Sequence, residues 1–533
     1  MTQKADIVVA GAGHNSMITA AYLAKAGYSV IVLDARPVPG GGASTEEPLL
    51  PGYLIDTCST GHTLIRVNPL LTNDELGLRS KYGLTYVEPD PVAHVTFADG
   101  EYFTHWLDLD RTCEEFARFS KHDAQAYRRM MAEYDEVKGA YGAARFTPPG
   151  LGPSLQERLL KTPHGQKWLR IEAMSSWDVI RHEFENRYIQ AYMLWQAFQT
   201  VQAVDALGSG SLAYSLIYSR QQRSWSIPLG GSGKLTAGLT AFLEEHGARI
   251  ICGKKVVRLV LENGRCAGVE TEDGERYLGT KAVVSTIHIK HLIDMAPHDA
   301  WPEDFHYGVA TYDIGISNMG VYIAAKEAPK FTTREGTQSA VSAGLVGWPE
   351  DVIRVGRDVK DGKFISGVTW LLVATPTLVD PSRAPHGHHT VKLLSPQSWQ
   401  LPAGEKDWDT LKEKRADYQV EQLRRFAPNF TDDNILARIV KSPDDFEHSN
   451  PHMIHGTFHG GDRGLAQSGT LRPVPGWGQY RMPIPGLYQT GGTTHPGGSI
   501  TGAPGRNAAM VVLEDLGTSL DAVVQAPAAS VRK

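Results

Sequence analysis

Asp6-Ile7-Val8-Val9-Ala10-Gly11-Ala12-Gly13-His14-Asn15-Ser16 is the stretch on which the reading of the fold turns. A β-branched run of this length predicts a buried parallel strand. Two glycines then interrupt it, and Met17 to Gly27 reads as a helix rich in small residues. Tyr28-Ser29-Val30-Ile31-Val32-Leu33 predicts a second strand, which ends at Asp34. Each part has a physical task in a dinucleotide-binding βαβ unit. Gly11 permits the tight turn out of the strand. Gly13 lets a pyrophosphate come close to the backbone, where it rests on amides at the helix N-terminus. Asp34, 21 residues after Gly13, can accept hydrogen bonds from ribose hydroxyls. Ser16 stands where the fingerprint has its third glycine, a position that serves helix–strand packing and tolerates a small side chain.

The following segment, Asp34-Ala35-Arg36-Pro37-Val38-Pro39-Gly40-Gly41-Gly42-Ala43-Ser44-Thr45, puts a basic residue and a glycine cluster just after the acid. Such glycines offer a second backbone approach to a diphosphate or flavin, and the segment resembles the extended N-terminal signature of the two-dinucleotide-binding-domain flavoproteins, which implies FAD rather than NAD. No second complete fingerprint appears. Gly208-Ser209-Gly210 has no strand before it, and Gly230-Gly231-Ser232-Gly233-Lys234 lacks the spacing of a P-loop. One bound dinucleotide is expected.

The chain has 533 residues, which suggests about three structural units. Hydrophobic residues make up 41% and charged residues 21%, the composition of a folded protein. A formal net charge of −6, from 53 basic and 59 acidic residues, gives no footprint for nucleic acid. Cys58, Cys113, Cys252 and Cys266 form no C-x-x-C pair, so a reducing, cytoplasmic setting is expected. The N-terminus does not read as a signal peptide, and no run approaches the roughly 20 apolar residues of a membrane span. Peripheral membrane contact and self-association stay open.

The predicted organisation is an FAD-binding α/β domain in three parts, 1–104, 226–300 and 471–533, with a mostly helical covering region at 105–225 and a substrate domain at 301–470. Within 46–100, Gly52 to Asp56 suggests a strand returning toward the cofactor. Helices are expected over Cys113–Phe119, Ala124–Val137 and Ile180–Ala203. Their aromatic residues, Trp168, Trp177, Tyr188, Tyr192, Trp195 and Phe198, suit either an apolar substrate or an ordinary core, the core being favoured. Residues 226–290 return to an α/β pattern. Asn263-Gly264 and Asp273-Gly274 mark the hairpins of an inserted β-meander between a helix near Lys234–His246 and a strand at Ala282–Thr286. Residues 305–470 read as an antiparallel sheet with strands at Asn318–Ile323, Val368–Val373 and Thr390–Leu394 and a helix near Trp408–Phe426.

The last block is the most specific. Leu487-Tyr488-Gln489-Thr490-Gly491-Gly492 is a short strand with a glycine stop. A loop through His495-Pro496-Gly497-Gly498-Ser499, with further glycines at 502 and 505, then enters a helix that runs to about Leu516. A loop stripped of side chains at a helix N-terminus can face a flavin ring and stabilise negative charge there. Gly11-Ala12-Gly13-His14-Asn15, Asp34 to Gly41, Asp380 to Pro385, Leu471 to Trp477, and His495 to Gly498 through Asn507-Ala508-Ala509 together resemble the carotenoid (phytoene) desaturase branch of the flavin amine oxidase superfamily. Ser16 departs from the glycine usual in that group. The resemblance implies a fold of the two-dinucleotide-binding-domain flavoprotein type, non-covalent FAD, and a substrate domain over the flavin. The expected contacts are Gly11, Gly13, His14, Asn15, Ser16, Asp34, Ala35, Arg36, Gly41, Gly42, Ala43, Val257, Gly491, Gly492, Pro496, Gly497, Gly498 and Ser499.

The expected chemistry is hydride transfer from an apolar or amphipathic small molecule to the flavin, in a dehydrogenase or desaturase. An amine oxidase producing hydrogen peroxide and a non-redox isomerase using reduced flavin are the alternatives, and the electron acceptor, oxygen or quinone, stays open. His495 and His62 are the candidate proton acceptors, each with an ordinary loop role as its competitor. His448, His452, His455 and His459 have ligand-like spacing, but Gly456, Gly460 and Gly461 argue against a helix that would align them, and no metal is expected. Arg472 and Arg481 could pair with a substrate acid or the diphosphate, although structural roles are favoured.

Overall fold

Strand β1 (Thr2–Ala10) is buried from Ile7 onward because it runs through the middle of a sheet covered on both faces, as a continuous apolar run requires. The computed structural model describes residues 2–365, 367 and 369–526. The other strands of the two large sheets, in chain order, are β2 (Val30–Asp34), β3 (Ala93–Phe97), β4 (Tyr102–His105), β5 (Arg249–Cys252), β6 (Val256–Glu262), β7 (Arg265–Thr271), β8 (Arg276–Ser285), β9 (Asn318–Ala325), β10 (Ser342–Val346), β11 (Trp370–Ala374), β12 (His389–Pro396), β13 (Ile435–Lys441) and β14 (Leu487–Gln489).

The first sheet has the order β5-β2-β1-β8-β7-β6, with β14 also on β8. β5, β2, β1, β8 and β14 are mutually parallel, with Val8 opposite both Ile31 and Val283. β8 serves two layers. Its first residues, Arg276–Leu278, pair with the meander strand β7, and Val283–Ser285 receive β14 from the C-terminal segment. The β6–β7 turn has Asn263 at φ 51° and Gly264 at φ 74°, the left-handed pair that a two-residue hairpin demands.

Helix α1 (His14–Lys25) lies under this sheet and is crossed by a C-terminal helix, Ala503–Asp515. Gly505 makes that crossing possible, since a Cβ there would sit 2.2 Å from the carbonyl oxygen of Asn15. Glu75 joins the two helices. Its carboxylate accepts from Arg506 at 2.8 and 2.9 Å and from the Tyr22 hydroxyl.

The second sheet has the order β13-β9-β12-β11-β10-β3-β4. One face packs on the helix Trp408–Arg424 through Val391, Leu393, Leu371 and Val373. The alternate residues, Leu372 and Leu394, face the helical region, because successive strand residues point to opposite sides. That region includes Leu109–Ala117, Lys121–Arg145, Ser176–Glu183, Arg187–Phe198 and Leu212–Arg223.

Four expectations need correction. Residues 93–105 are expected with the FAD-binding part and the start of the covering region, yet β3 pairs with β10 and both β3 and β4 belong to the second sheet. Ile180–Ala203 is not one helix. It breaks at Phe184–Asn186, where Asn186 caps the second piece by accepting from the amides of Tyr188 and Ile189. Gly52–Asp56 is not a strand, and makes only an isolated bridge from Ile55 to Glu46. The expected strand at Val368–Val373 begins at Trp370, and Val368 lies outside the described residues. Among the described residues, no helix is long and apolar enough to cross a membrane.

Candidate active site

Four parallel strands end at one cavity. β1 delivers Gly11 and Gly13, β2 delivers Asp34, Ala35 and Arg36, β8 delivers Thr286, Ile287 and His288, and β14 delivers Gly491 and Gly492. Carboxyl ends of parallel strands are where open α/β sheets bind ligands. The cavity has a volume of about 660 Å³. Its opposite wall comes from elsewhere: Thr200 and Val201 after the helix Arg187–Phe198, Leu216 and Arg220 on Leu212–Arg223, Trp225 beyond it, and Leu372, Lys392 and Leu394 on the second sheet.

The glycine turns are dictated by crowding. A Cβ on Gly11, at φ 97°, would lie 2.4 Å from Thr286 Cγ2, and one on Gly41, at φ 57°, would lie 3.2 Å from the Gly13 Cα. Gly13 differs. A Cβ there would meet nothing nearer than Ser16 Oγ at 4.0 Å, so glycine keeps open the space beside the first turn of α1. That helix has no side-chain cap, which leaves its leading amides free for an anion. Ser16 is buried, with Oγ within 2.6 Å of the Gly11 carbonyl and 2.9 Å of the Gly13 carbonyl, so its hydroxyl ties down the turn. Asp34 accepts from the amide of Ala12 at 2.6 Å and that of Arg36 at 2.8 Å, one on each oxygen. Burial, the largest influence, raises its pKa. Arg36 donates to the Gly41 carbonyl at 2.9 Å and pairs with Glu46 at 2.8 Å, which holds the second glycine loop against the first.

These features fit FAD: a side-chain-free approach to helix amides, a carboxylate at the end of β2, and the partnerless buried atoms Asn15 Oδ1 and His14 Nε2. Of the expected contacts, Gly11, Gly13, His14, Asn15, Asp34, Ala35, Arg36, Gly41, Gly42, Val257, Gly491, Gly492, Gly498 and Ser499 line the cavity. Ser16, Ala43, Pro496 and Gly497 are not among its lining residues. Ala43 packs into the core below, and Gly497 sits against Arg463.

Neither candidate base lines the cavity. His62 is buried between the Tyr86 hydroxyl at 3.1 Å and Ser232 Oγ at 2.6 Å. His495 turns Nε2 to the Ala144 carbonyl at 3.1 Å, and its own carbonyl accepts from the Tyr480 hydroxyl at 2.5 Å, so it shapes the loop. The other histidine cluster divides. His452 and His459 line the cavity, whereas His448 is exposed and His455 stacks on Trp399. Arg472 is wholly inside, donating to the carbonyls of Asp462 at 2.6 Å and Gly492 at 2.5 Å, and Arg481 pairs with Asp515 on the surface. Trp168, Trp177, Tyr188, Tyr192, Trp195 and Phe198 of the helical region are core or packed on it, and none of these six is a lining residue.

Three further basic groups that line the cavity are not among those read from the sequence as proton donors or acceptors. His288 caps a short helix, with Nδ1 accepting from the Lys290 amide at 3.3 Å and Nε2 buried without a partner. His452 Nδ1 faces the Thr286 carbonyl at 3.0 Å, so it carries the hydrogen and Nε2 keeps a lone pair. Burial holds both imidazoles neutral, His452 down at about 4 and His288 well below its usual value. Lys392 donates to the Cys58 carbonyl at 2.7 Å, and burial lowers its pKa to about 8. Its position offers a signal: in Val391-Lys392-Leu393-Leu394 a lysine occupies the inward register of an apolar strand.

The family described as flavin containing amine oxidoreductase matches residues 17–312. A limonene dehydrogenase chain of Castellaniella defragrans is 25% identical, over 97% of this chain and 96% of its own. The lycopene-forming phytoene desaturase of a Paracoccus species is 26% identical, over 96% of this chain and 98% of its own. The fold is similar to that of a putrescine oxidase, with a TM-score of 0.61 at 13% identity, over 98% of this chain and 99% of that one.

Proposed function

This chain belongs to the flavin containing amine oxidoreductase family as a phytoene desaturase-like, FAD-dependent oxidoreductase, and from that premise we propose that it is a dehydrogenase or desaturase of an apolar small molecule. The observation that carries the substrate class is the wall facing the glycine loops, where Val201, Leu216, Trp225, Leu372, Leu394 and Phe458 stand together. A site of this kind orients its ligand through a few polar groups and binds it by excluding water. The limonene and phytoene in the relatives' names support the same class.

Bound FAD supplies the electron sink for removal of a hydride from carbon. The protein supplies the rest. Gly13 and the first turn of α1 would receive the diphosphate, Asp34 would take the ribose hydroxyls, and Gly491, Gly492, Gly498 and Ser499 would hold the flavin end. The apolar wall holds the substrate in a dry site. His452 Nε2, neutral and with its lone pair free, is the proton acceptor this reading offers. Positive charge at Arg220 and Lys392 disfavours an ammonium substrate, because the carboxylates among the described lining residues are only Asp34 and Asp294.

The test is anaerobic addition of terpenes and polyenes, as hydrocarbons and as their carboxylic acids, and separately of alkylamines, to the FAD-loaded protein. Bleaching of the visible flavin band by one of these apolar-bodied compounds is expected. Bleaching by amines alone, with peroxide formed on admitting oxygen, would overturn the reading in favour of an amine oxidase. A band that persists while product accumulates would overturn it in favour of an isomerase.

A further inference from the structure

We propose that the substrate carries an anionic head group, a carboxylate, held by Arg220 and Gln199 in the cavity wall. This rests on the reading of that wall as the substrate site. Arg220 is 2% exposed. Its Nη1 donates to Gln196 Oε1 at 2.7 Å and its Nη2 to Gln199 Oε1, while Nε is buried with no partner. Among the described residues no carboxylate lies within ion-pair distance of it. The groups behind it are neutral. Gln196 Nε2 donates to the Tyr192 hydroxyl at 2.7 Å, and that hydroxyl lies 2.6 Å from Nδ1 of His105, which burial pushes down to about 3.

Gln199 adds a second unused donor. An arginine has no acceptor, so Gln199 must turn its oxygen to Arg220 and its amide nitrogen away. That nitrogen is buried without a partner, and Gln199, like Arg220, lines the cavity. Two bonded side chains on the wall of one apolar space thus carry a positive charge with no carboxylate and two buried N–H groups with no partner. Burying a charge without a counter-ion is costly, and other inward arginines meet that cost with a carboxylate or with backbone carbonyls, as Arg472, which is not on the cavity lining, does by donating to those of Asp462, Gln467 and Gly492. Arg383 has Asp56 at 2.7 Å and Arg506 has Glu75 at 2.8 Å. Arg415, which also lacks a carboxylate, lies 4.2 Å over the Phe364 ring and away from this cavity, whereas Trp225 is 5.5 Å from Arg220. A planar carboxylate on an apolar body supplies the missing charge and the acceptors for both N–H groups, and leaves its chain against Leu216, Leu372 and Leu394.

The test compares dodecanoate with dodecan-1-ol as ligands of the FAD-loaded protein, read by perturbation of the flavin absorption and by calorimetry. Dodecanoate should bind about 10- to 100-fold more tightly, the range for hydrogen bonds to a charged group. R220Q should remove that preference by weakening dodecanoate alone, and R220K should restore part of it. Equal binding of the two probes, or equal weakening of both by R220Q, would overturn the proposal. Tight binding of the alcohol alone would overturn it while leaving the apolar-substrate reading in place, and binding of neither would overturn both. Should R220Q fail to load FAD, the wild-type contrast and R220K decide the matter.

Discussion

Acidification should unfold this protein and release its cofactor well above the pH at which carboxylates titrate. Eight buried histidines, His14, His62, His94, His105, His288, His452, His459 and His495, have their pKa values depressed, in every case chiefly by burial. Those with resolved values lie at about 3 or about 4. A base depressed in the folded state binds its proton more readily when unfolded. Its contribution to stability is therefore complete above the unfolded value of about 6.5, and is lost as pH falls from there toward the folded value. At about pH 5.5 each such histidine costs roughly 1.4 kcal/mol, and eight together reach the order of 10 kcal/mol. That matches the whole net stability of a typical domain, roughly 5–15 kcal/mol. Asp34 and Glu172, raised by burial, act in the opposite sense, but they are two against eight. His14, His288, His452 and His459 line the cavity, so flavin should leave as the fold weakens. Thermal melts at fixed ionic strength, followed by tryptophan and released-flavin fluorescence, should show the transition falling steeply between about pH 6.5 and 5. A melting temperature that is flat across that window would refute the reasoning.

The cofactor site gives a sharper test at Asp34. Each of its carboxylate oxygens takes a backbone N–H, and an amide can serve only one of them, so D34N should weaken FAD binding about 10- to 100-fold in a fluorescence titration. A change of less than about threefold would exclude this role. R506M strands the buried Glu75 carboxylate and should cost about 3–5 kcal/mol, seen as a lower melting temperature. The double variant E75Q/R506M should recover much of that loss, and no recovery would show that the unpaired charge is not the cause. G61A would place a Cβ 2.4 Å from Trp225 Nε1, forcing the indole to shift at a cost of about 1–3 kcal/mol. Its KM for substrate should rise while FAD affinity holds, and parallel changes in both would count against a substrate-side role for Trp225.

What can be read in advance follows the range of the interaction that fixes it. The β1–Gly11–α1–β2–Asp34 unit is set by residues adjacent in sequence, and so is the Asn263-Gly264 turn; both are found where the pattern puts them. The break at Phe184–Asn186 is also written locally, in an asparagine with cap geometry, but the surrounding apolar recurrence hides it. β3 and β4 depart from expectation for a different reason. Their sheet partner, β10, begins about 240 residues later, and nothing in Ala93–His105 specifies that pairing. The histidines show the same limit at the level of side chains. Glycine content places the loop around 495 close to the cofactor, and the expected return of residues 52–56 does so for the loop around 62, yet the direction of each imidazole depends on Ser232, Tyr86 and Ala144, which arrive from other parts of the chain. Arg220 marks the far end of this scale. A lone arginine in a helix reads as an exposed cation. It becomes informative only once the fold surrounds it with glutamines and brings no carboxylate. A mismatch of that kind is a property of the assembled cavity. The cofactor is therefore legible as a motif, whereas the substrate has to be inferred from charge left unbalanced in three dimensions.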